Sequence, residues 1–215
     1  MKKSTLVLLV IVQAISFCGF SMTIPVKMNI QMRKSMPQSD INDVKKLCVI
    51  YAKEHNTCPE SYLWNIAMES DFDASMFKFE EKTKYLRVGA LSFTKTSCIM
   101  IGIVEKDDSW EMMKEKAREF SKLSLLDQMP WIKAYYDWQI FYRFKKNLLC
   151  KKSEIVMRLL TFHPVSSVQK NNVCICKKID PCTYLRNITY DLNKDGNITL
   201  YEISRKYELK KKIYV

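Results

Sequence analysis

Side chains that carry oxygen recur at short intervals over residues 191–202. Counted from Asp191 as position 1, oxygen donors stand at positions 1, 3, 5, 9 and 12, a backbone carbonyl adds one at position 7, and a glycine stands at position 6: Asp191, Asn193, Asp195, Gly196, Asn197, Thr199 and Glu202. Calcium takes about six to eight hard oxygen ligands, which this set supplies unaided. The spacing therefore predicts an EF-hand calcium loop, and the alternative is a solvated Asp/Asn turn without metal.

The sequence contains a single loop of this kind. Calcium sensors pair two loops and open a groove between their helices. We therefore expect Ca²⁺ to act as a structural clamp that holds the C-terminal tail on the body of the protein. The helices on either side of the loop are predicted over residues 183–190 and 203–209.

A second chemically capable residue is Glu69, which lies among apolar neighbours near the end of a predicted helix. Apolar surroundings disfavour the charged carboxylate, and exposed carbonyls at a helix C-terminus act in the same direction. Both effects would favour a protonated acid near neutral pH, as cleavage of a glycosidic bond requires. The alternative is an ordinary solvated helical glutamate.

Low glycine and proline content, with 47% hydrophobic residues, favours a packed, mainly helical chain and argues against disorder. Asp40 is predicted to cap the first helix, and a second helix opens at Pro59 and ends near Ser70. Apolar residues at helical spacing predict further helices over residues 110–120, 125–144 and 153–160. These elements must position Glu69.

Further residues follow Glu69-Ser70 in a recognisable order. They are Gly89, Ser92, Phe93, Thr94, Ser124, Asp127, Gln128 and Tyr135, before the Asp191 loop. Their order and spacing resemble the soluble lytic transglycosylase family of the lysozyme superfamily, in its phage and bacterial branch, some of whose members end in a calcium loop. The resemblance implies a lysozyme-like helical domain over residues 40–165 and an EF-hand-like helix-loop-helix over 180–210.

That family cleaves peptidoglycan glycan strands between N-acetylmuramic acid and N-acetylglucosamine. The resemblance implies that Glu69 protonates the glycosidic oxygen and then accepts the proton of the sugar's 6-hydroxyl, which leaves a 1,6-anhydro end. Ser70, Ser92 and Tyr135 are implied substrate contacts, although Ser92 stands where the family has glutamine, and Tyr135 could instead pack in the core. The alternative function is a non-catalytic, calcium-stabilised scaffold that binds cell walls.

The formal net charge of +12 implies a polyanionic partner. Residues 1–21 read as a signal peptide, with an uncleaved membrane anchor as the alternative, and thus predict a secreted or periplasmic protein. Export argues against nucleic acid as partner, and no stable membrane span is expected after cleavage. Eight cysteines suit disulfides in an oxidising compartment better than a zinc site.

The two histidines and the lysines near the C-terminus are assigned no chemical role. His55 and His163 stand apart from other candidate ligands, so neither is assigned a metal or catalytic role. The run over residues 210–212 consists of lysines and is interpreted as a solvated helix end that favours its own helix dipole.

Overall fold

The computed structural model describes residues 37–144, 153–164, 167 and 172–212. This part of the chain is mainly helical, as predicted, with eight α-helices and five short strands. The predicted signal peptide lies outside it, as do Cys18 and Cys150. Among the described helices, none combines the length and apolar character needed to cross a membrane.

Two helices open the described chain. Helix α1 (Gln38–His55) begins two residues before the predicted cap, because Pro37 occupies the N-cap and Asp40 lies in the first turn. The prediction that Asp40 caps this helix is therefore wrong. Helix α2 (Glu60–Ser70) confirms the predicted bounds, and it ends where Asp71 adopts a left-handed conformation with φ 54°.

A three-stranded antiparallel sheet follows α2 directly. Its strands are β1 (Phe77–Glu80), β2 (Tyr85–Val88) and β3 (Phe93–Thr94), in that order. The turn between β2 and β3 contains Gly89 and Ser92, both with positive φ. The sheet thus brings a tight, left-handed turn close to the end of α2.

Four helices follow the sheet. Helix α3 (Lys95–Met100) is short, whereas α4 (Trp110–Phe120), α5 (Leu125–Phe144) and α6 (Glu154–Phe162) confirm the predictions over residues 110–120, 125–144 and 153–160 to within two residues. Buried apolar residues of α1, α2 and α5 and of the sheet form one main core. The central side chains of α2, Leu63, Ile66 and Ala67, are fully buried in it.

The C-terminal segment over residues 173–211, called the hand below, contains the 191–202 loop and the short elements on either side of it. Strand β4 (Val173–Cys176) precedes α7 (Pro181–Arg186), a 3₁₀ turn (Ile188–Tyr190), β5 (Asn197–Thr199) and α8 (Leu200–Lys211). The first flanking helix is therefore broken into two pieces, and the second begins three residues earlier than predicted. Strand β4 pairs with β5, with Ile175 opposite Ile198, so the loop itself pairs with a strand instead of with a second loop.

Five cysteines of the described residues can be compared with the disulfide prediction. Cys48, Cys58, Cys98, Cys176 and Cys182 carry free thiols in the structure. Burial raises the pKa of the Cys98 thiol to about 12, which keeps this side chain protonated and apolar in character. The disulfide prediction thus has no support among these five cysteines.

Candidate functional site

Glu69 lies in the last turn of α2 and contacts two guanidinium groups. Its Oε1 accepts a hydrogen bond of 2.5 Å from Arg158 Nη1, and its Oε2 lies 3.6 Å from Arg87 Nη1. The Glu69 side chain is 12% exposed. The apolar surroundings expected from the sequence are therefore replaced by two guanidinium groups that pair with the carboxyl group.

Arg158 is the central residue of this polar cluster. It lies on α6, and its side chain is only 3% exposed. Its guanidinium binds Glu69, Thr161 Oγ1 at 3.3 Å and the Tyr190 hydroxyl at 3.1 Å. Burial alone would lower the pKa of Arg158, but the adjacent Glu69 carboxylate raises it above the usual range. A buried arginine with these partners remains charged.

Two of the predicted substrate contacts lie beside Glu69. Ser70 Oγ donates to the Ala90 carbonyl at 2.7 Å, which ties the end of α2 to the turn after β2. Ser92 is buried in that turn, and its Oγ accepts a hydrogen bond of 3.1 Å from Arg87 Nη1. Arg87 therefore connects Ser92 with Glu69, so the structure brings Glu69, Ser70 and Ser92 together.

The same turn is held from behind by Gln128. Its Oε1 accepts from the Ala90 amide at 2.8 Å, and its Nε2 donates to the Ala74 carbonyl at 2.8 Å. A Cβ at Gly89 would lie 2.7 Å from Gln128 Oε1 and 2.7 Å from Phe120 Cε1, so only glycine fits. Gly89 and Gln128 thus shape the site through the backbone.

The side chain of Tyr135 lies in the core and not in the polar cluster around Glu69. Its ring is buried, and its hydroxyl donates to the Leu160 carbonyl at 2.7 Å. The neighbouring Tyr136 is fully buried and accepts a hydrogen bond from Asn65 at 2.7 Å. Of the two alternatives open for Tyr135, the structure places it in the core rather than in substrate contact.

The start of the 191–202 loop is organised around Asp191. Its carboxylate accepts hydrogen bonds from the amides of Asp195 at 3.2 Å and Gly196 at 3.0 Å, and from the Tyr184 hydroxyl at 2.5 Å. Burial would raise the pKa of Asp191, but these hydrogen bonds lower it below its usual range. The Asp191 carboxylate is thus buried in its charged form.

The end of the loop is held by Glu202. Its Oε1 accepts from the Leu192 amide at 2.8 Å and its Oε2 from the Thr199 amide at 2.9 Å, while the Thr199 hydroxyl caps α8. This reciprocal capping box fixes α8 to the loop. Asn193 accepts from the Asp195 amide at 3.0 Å, and Asp195 accepts from that of Asn197 at 2.8 Å.

In the described residues, no three His, Cys, Asp or Glu side chains are grouped as a metal site. The loop's three carboxylates, those of Asp191, Asp195 and Glu202, are therefore not gathered around one point; its further oxygen donors are amide, hydroxyl and carbonyl groups. Asp191 is 6% and Glu202 is 3% exposed, yet neither forms a salt bridge within the described part of the chain. Two buried carboxylates in one loop without a protein cation fit a hard divalent cation.

The lysines at the end of α8 are not simply solvated, and that interpretation is wrong. Lys210 Nζ donates to the carbonyls of Ala67 at 3.2 Å and Met68 at 3.3 Å, which are among the last of α2. Lys211 Nζ forms a 2.8 Å ion pair with Glu154 in the first turn of α6. The end of the hand is thus attached directly to the helices that carry Glu69 and Arg158.

His55 is likewise not isolated. Its Nε2 lies 2.6 Å from Asp137 Oδ1, and its Nδ1 contacts the Tyr62 hydroxyl. Lys133 adds a 2.9 Å ion pair to Asp137. Tyr62 is fully buried and His55 is 6% exposed, so these contacts join α1 to α5 and α2.

Sequence reasoning missed Arg87, Arg158, Tyr190 and Lys210. One local signal was available for Arg158, which interrupts the apolar run of residues 155–160 with a charge on a face that should be buried. No comparable signal marks Arg87 or Lys210 among the many cations of this chain.

The chain matches no protein-family model, no curated protein and no solved structure. Its function must therefore be argued from its own residues.

Proposed function

We propose that this protein is an exported enzyme that cleaves peptidoglycan glycan strands with Glu69, on a lysozyme-like helical scaffold. The observation that carries the proposal is the position of Glu69. Its carboxyl stands at the junction of the end of α2 with the turn after β2, beside Ser70 and Ser92 and partly open to solvent. A general acid and base needs this combination of a fixed position and partial access.

In the proposed reaction, Glu69 donates a proton to the oxygen that bridges N-acetylmuramic acid and N-acetylglucosamine. The resulting carboxylate then accepts the proton of the sugar's 6-hydroxyl as that oxygen attacks the anomeric carbon, so a 1,6-anhydro end forms and no water is consumed. Arg87 and Arg158 would hold the Glu69 carboxyl group in one position through both steps.

The ion pair also supports a second candidate function. A carboxylate held at 2.5 Å by a buried arginine is typical of a structural ion pair, and such a pair opposes the acid role of Glu69. In this alternative the chain binds cell-wall glycans without cleaving them. The net charge of +12 suits walls with attached polyanions in both cases.

We further propose that the 191–202 loop binds calcium. When bound, the cation would neutralise the buried carboxylates of Asp191 and Glu202 and cross-link the loop. The residues that would hold it are Asp191, Asn193, Asp195, Asn197 through its carbonyl, Thr199 and Glu202. The loop already folds around these oxygens through its own backbone amides.

The decisive experiment compares the protein with its Glu69→Gln variant on purified peptidoglycan, with and without calcium. We expect the native protein to release muropeptides with 1,6-anhydro ends, seen by mass spectrometry, and the variant to release none. Glu60→Gln, at the other end of the same helix, is the matched control and should retain full activity. If neither protein releases muropeptides but both sediment with the walls, the binding function is correct and the enzymatic one is wrong.

A further inference from the structure

Both ends of the hand reach the Glu69 site. Tyr190 immediately precedes Asp191, and its hydroxyl accepts the 3.1 Å hydrogen bond from Arg158 Nη2. The other side of the same guanidinium binds Glu69. A continuous chain of contacts therefore leads from the first oxygen donor of the loop to the carboxyl of the candidate acid.

The second connection comes from the opposite end of the hand. Lys210, in the last turn of α8, donates to the Ala67 and Met68 carbonyls and lies 3.2 Å from Asp71 Oδ1. The Ala67 carbonyl also accepts from the Asp71 amide at 3.0 Å, so Lys210 adds a second hydrogen bond there, and its positive charge opposes the negative end of the helix dipole. Lys210 thus completes the end of α2 that carries Glu69.

The two connections depend on the loop in different ways. Tyr190 ends a three-residue 3₁₀ turn directly before the loop, and its ring packs against Phe162 on α6 with 4.5 Å between the ring centroids. Lys210 is carried by α8, which the capping box of Thr199 and Glu202 joins rigidly to the loop. A change in the loop would therefore move both contacts together.

We infer that Tyr190 and Lys210 are positioning residues: through them, calcium binding at the 191–202 loop determines the geometry of the Arg158–Glu69 ion pair. The inference rests on the proposed function of the loop as a calcium site. Neither residue contacts Glu69 directly, so both act through Arg158 or through the backbone of α2. Because coupling between two sites is reciprocal, a change at Glu69 must also alter calcium affinity.

That reciprocity gives a test that needs no turnover. Calcium affinity is measured by titration calorimetry on the native full chain and on Tyr190→Phe, Glu69→Gln and the double variant. We expect each single variant to bind calcium about fivefold more weakly, as for loss of one hydrogen bond and a modest coupling energy. The double variant should bind no more weakly than Tyr190→Phe, because the side chain of Glu69 is connected to the loop through Arg158 and Tyr190, and that connection is already broken.

Matched controls separate coupling from general damage. Tyr201→Phe removes a hydroxyl from a tyrosine of the same hand that is 73% exposed, and it should bind calcium like the native protein. Circular dichroism checks folding. If Tyr190→Phe fails to fold, Lys210→Met replaces it with the same expectation, and Lys212→Met, from an exposed lysine, becomes its control.

Calcium affinity that is unchanged by Glu69→Gln would overturn the inference. Absence of any calcium binding would overturn both the inference and the calcium site, but it would leave glycan cleavage to the wall assay. Intact coupling in a protein that releases no muropeptides would support the clamp while refuting the proposed enzyme. The failures of the two proposals are thus distinguishable.

Discussion

The Arg158–Glu69 pair offers the sharpest test of how the site is held. Arg158→Met removes a guanidinium that is 3% exposed and leaves the carboxylate of Glu69 with only Arg87, at 3.6 Å, as cation. Breaking a buried pair from one side costs about 3–5 kcal/mol. Because Glu69 keeps Arg87 and some contact with water, we expect about 3 kcal/mol.

The reverse change, Glu69→Gln, leaves Arg158 buried without its counter-ion. The glutamine oxygen still accepts a hydrogen bond from the guanidinium, so we expect a loss of about 2 kcal/mol. The double variant has no unpaired buried charge. Its loss should therefore fall short of the sum of the single losses by about 2 kcal/mol, as is typical for residues in direct contact.

Urea unfolding of the four proteins measures this coupling energy. The exposed pair of Lys114 and Glu111, at 3.3 Å on α4, serves as the control cycle. We expect the coupling energy of the control to stay below about 0.5 kcal/mol, since exposed i,i+3 pairs contribute little. A Glu69–Arg158 coupling as small as that of the control would refute the argument that burial makes this pair strong.

Three further predictions concern the turn at Gly89, the contacts of Asp137 with His55 and Lys133, and the 191–202 loop. Gly89→Ala should lower the free energy of unfolding, measured in urea, by about 2–4 kcal/mol, because its Cβ would overlap Gln128 and the positive φ would be strained. Gly102→Ala, with a similar φ and open space, should lower it by only about 1 kcal/mol. Equal losses would contradict the role of the overlap. Burial raises the pKa of Asp137, but its hydrogen bonds from His55 and Lys133 lower it below 3.8 overall. The stabilising effect of Asp137 should thus be complete above pH 3.8 and disappear as the pH falls through its lowered pKa. The melting temperatures of the native protein and of Asp137→Asn should therefore differ at pH 7 and converge at low pH. A difference that stays constant with pH would refute the claim that the charge of Asp137 is stabilising. Calcium at about 100 times its dissociation constant should stabilise the protein by about 2.7 kcal/mol. A chelator should reverse this effect, and Glu202→Gln should abolish it, as measured by thermal unfolding; an equal calcium response in that variant would exclude Glu202 as a ligand.

The elements that could be predicted from sequence are those determined by neighbours along the chain. The bounds of α2, α4 and α5 follow from apolar residues at helical spacing and from end signals, such as Pro59 at the start of α2. The oxygen pattern of the 191–202 loop is also local, since all its donors lie within twelve residues. Local hydrogen bonds and periodicity suffice to recognise such features.

Only the tertiary structure decided what surrounds Glu69. Its partner Arg158 is 89 residues away in the sequence, and Lys210 lies more than 140 residues from the carbonyls that it caps. An ion pair depends on distance and burial in three dimensions, and neither can be read from spacing along the chain. The sequence thus identified the acidic residue, whereas the packing of α6 and α8 against α2 determined its charge environment.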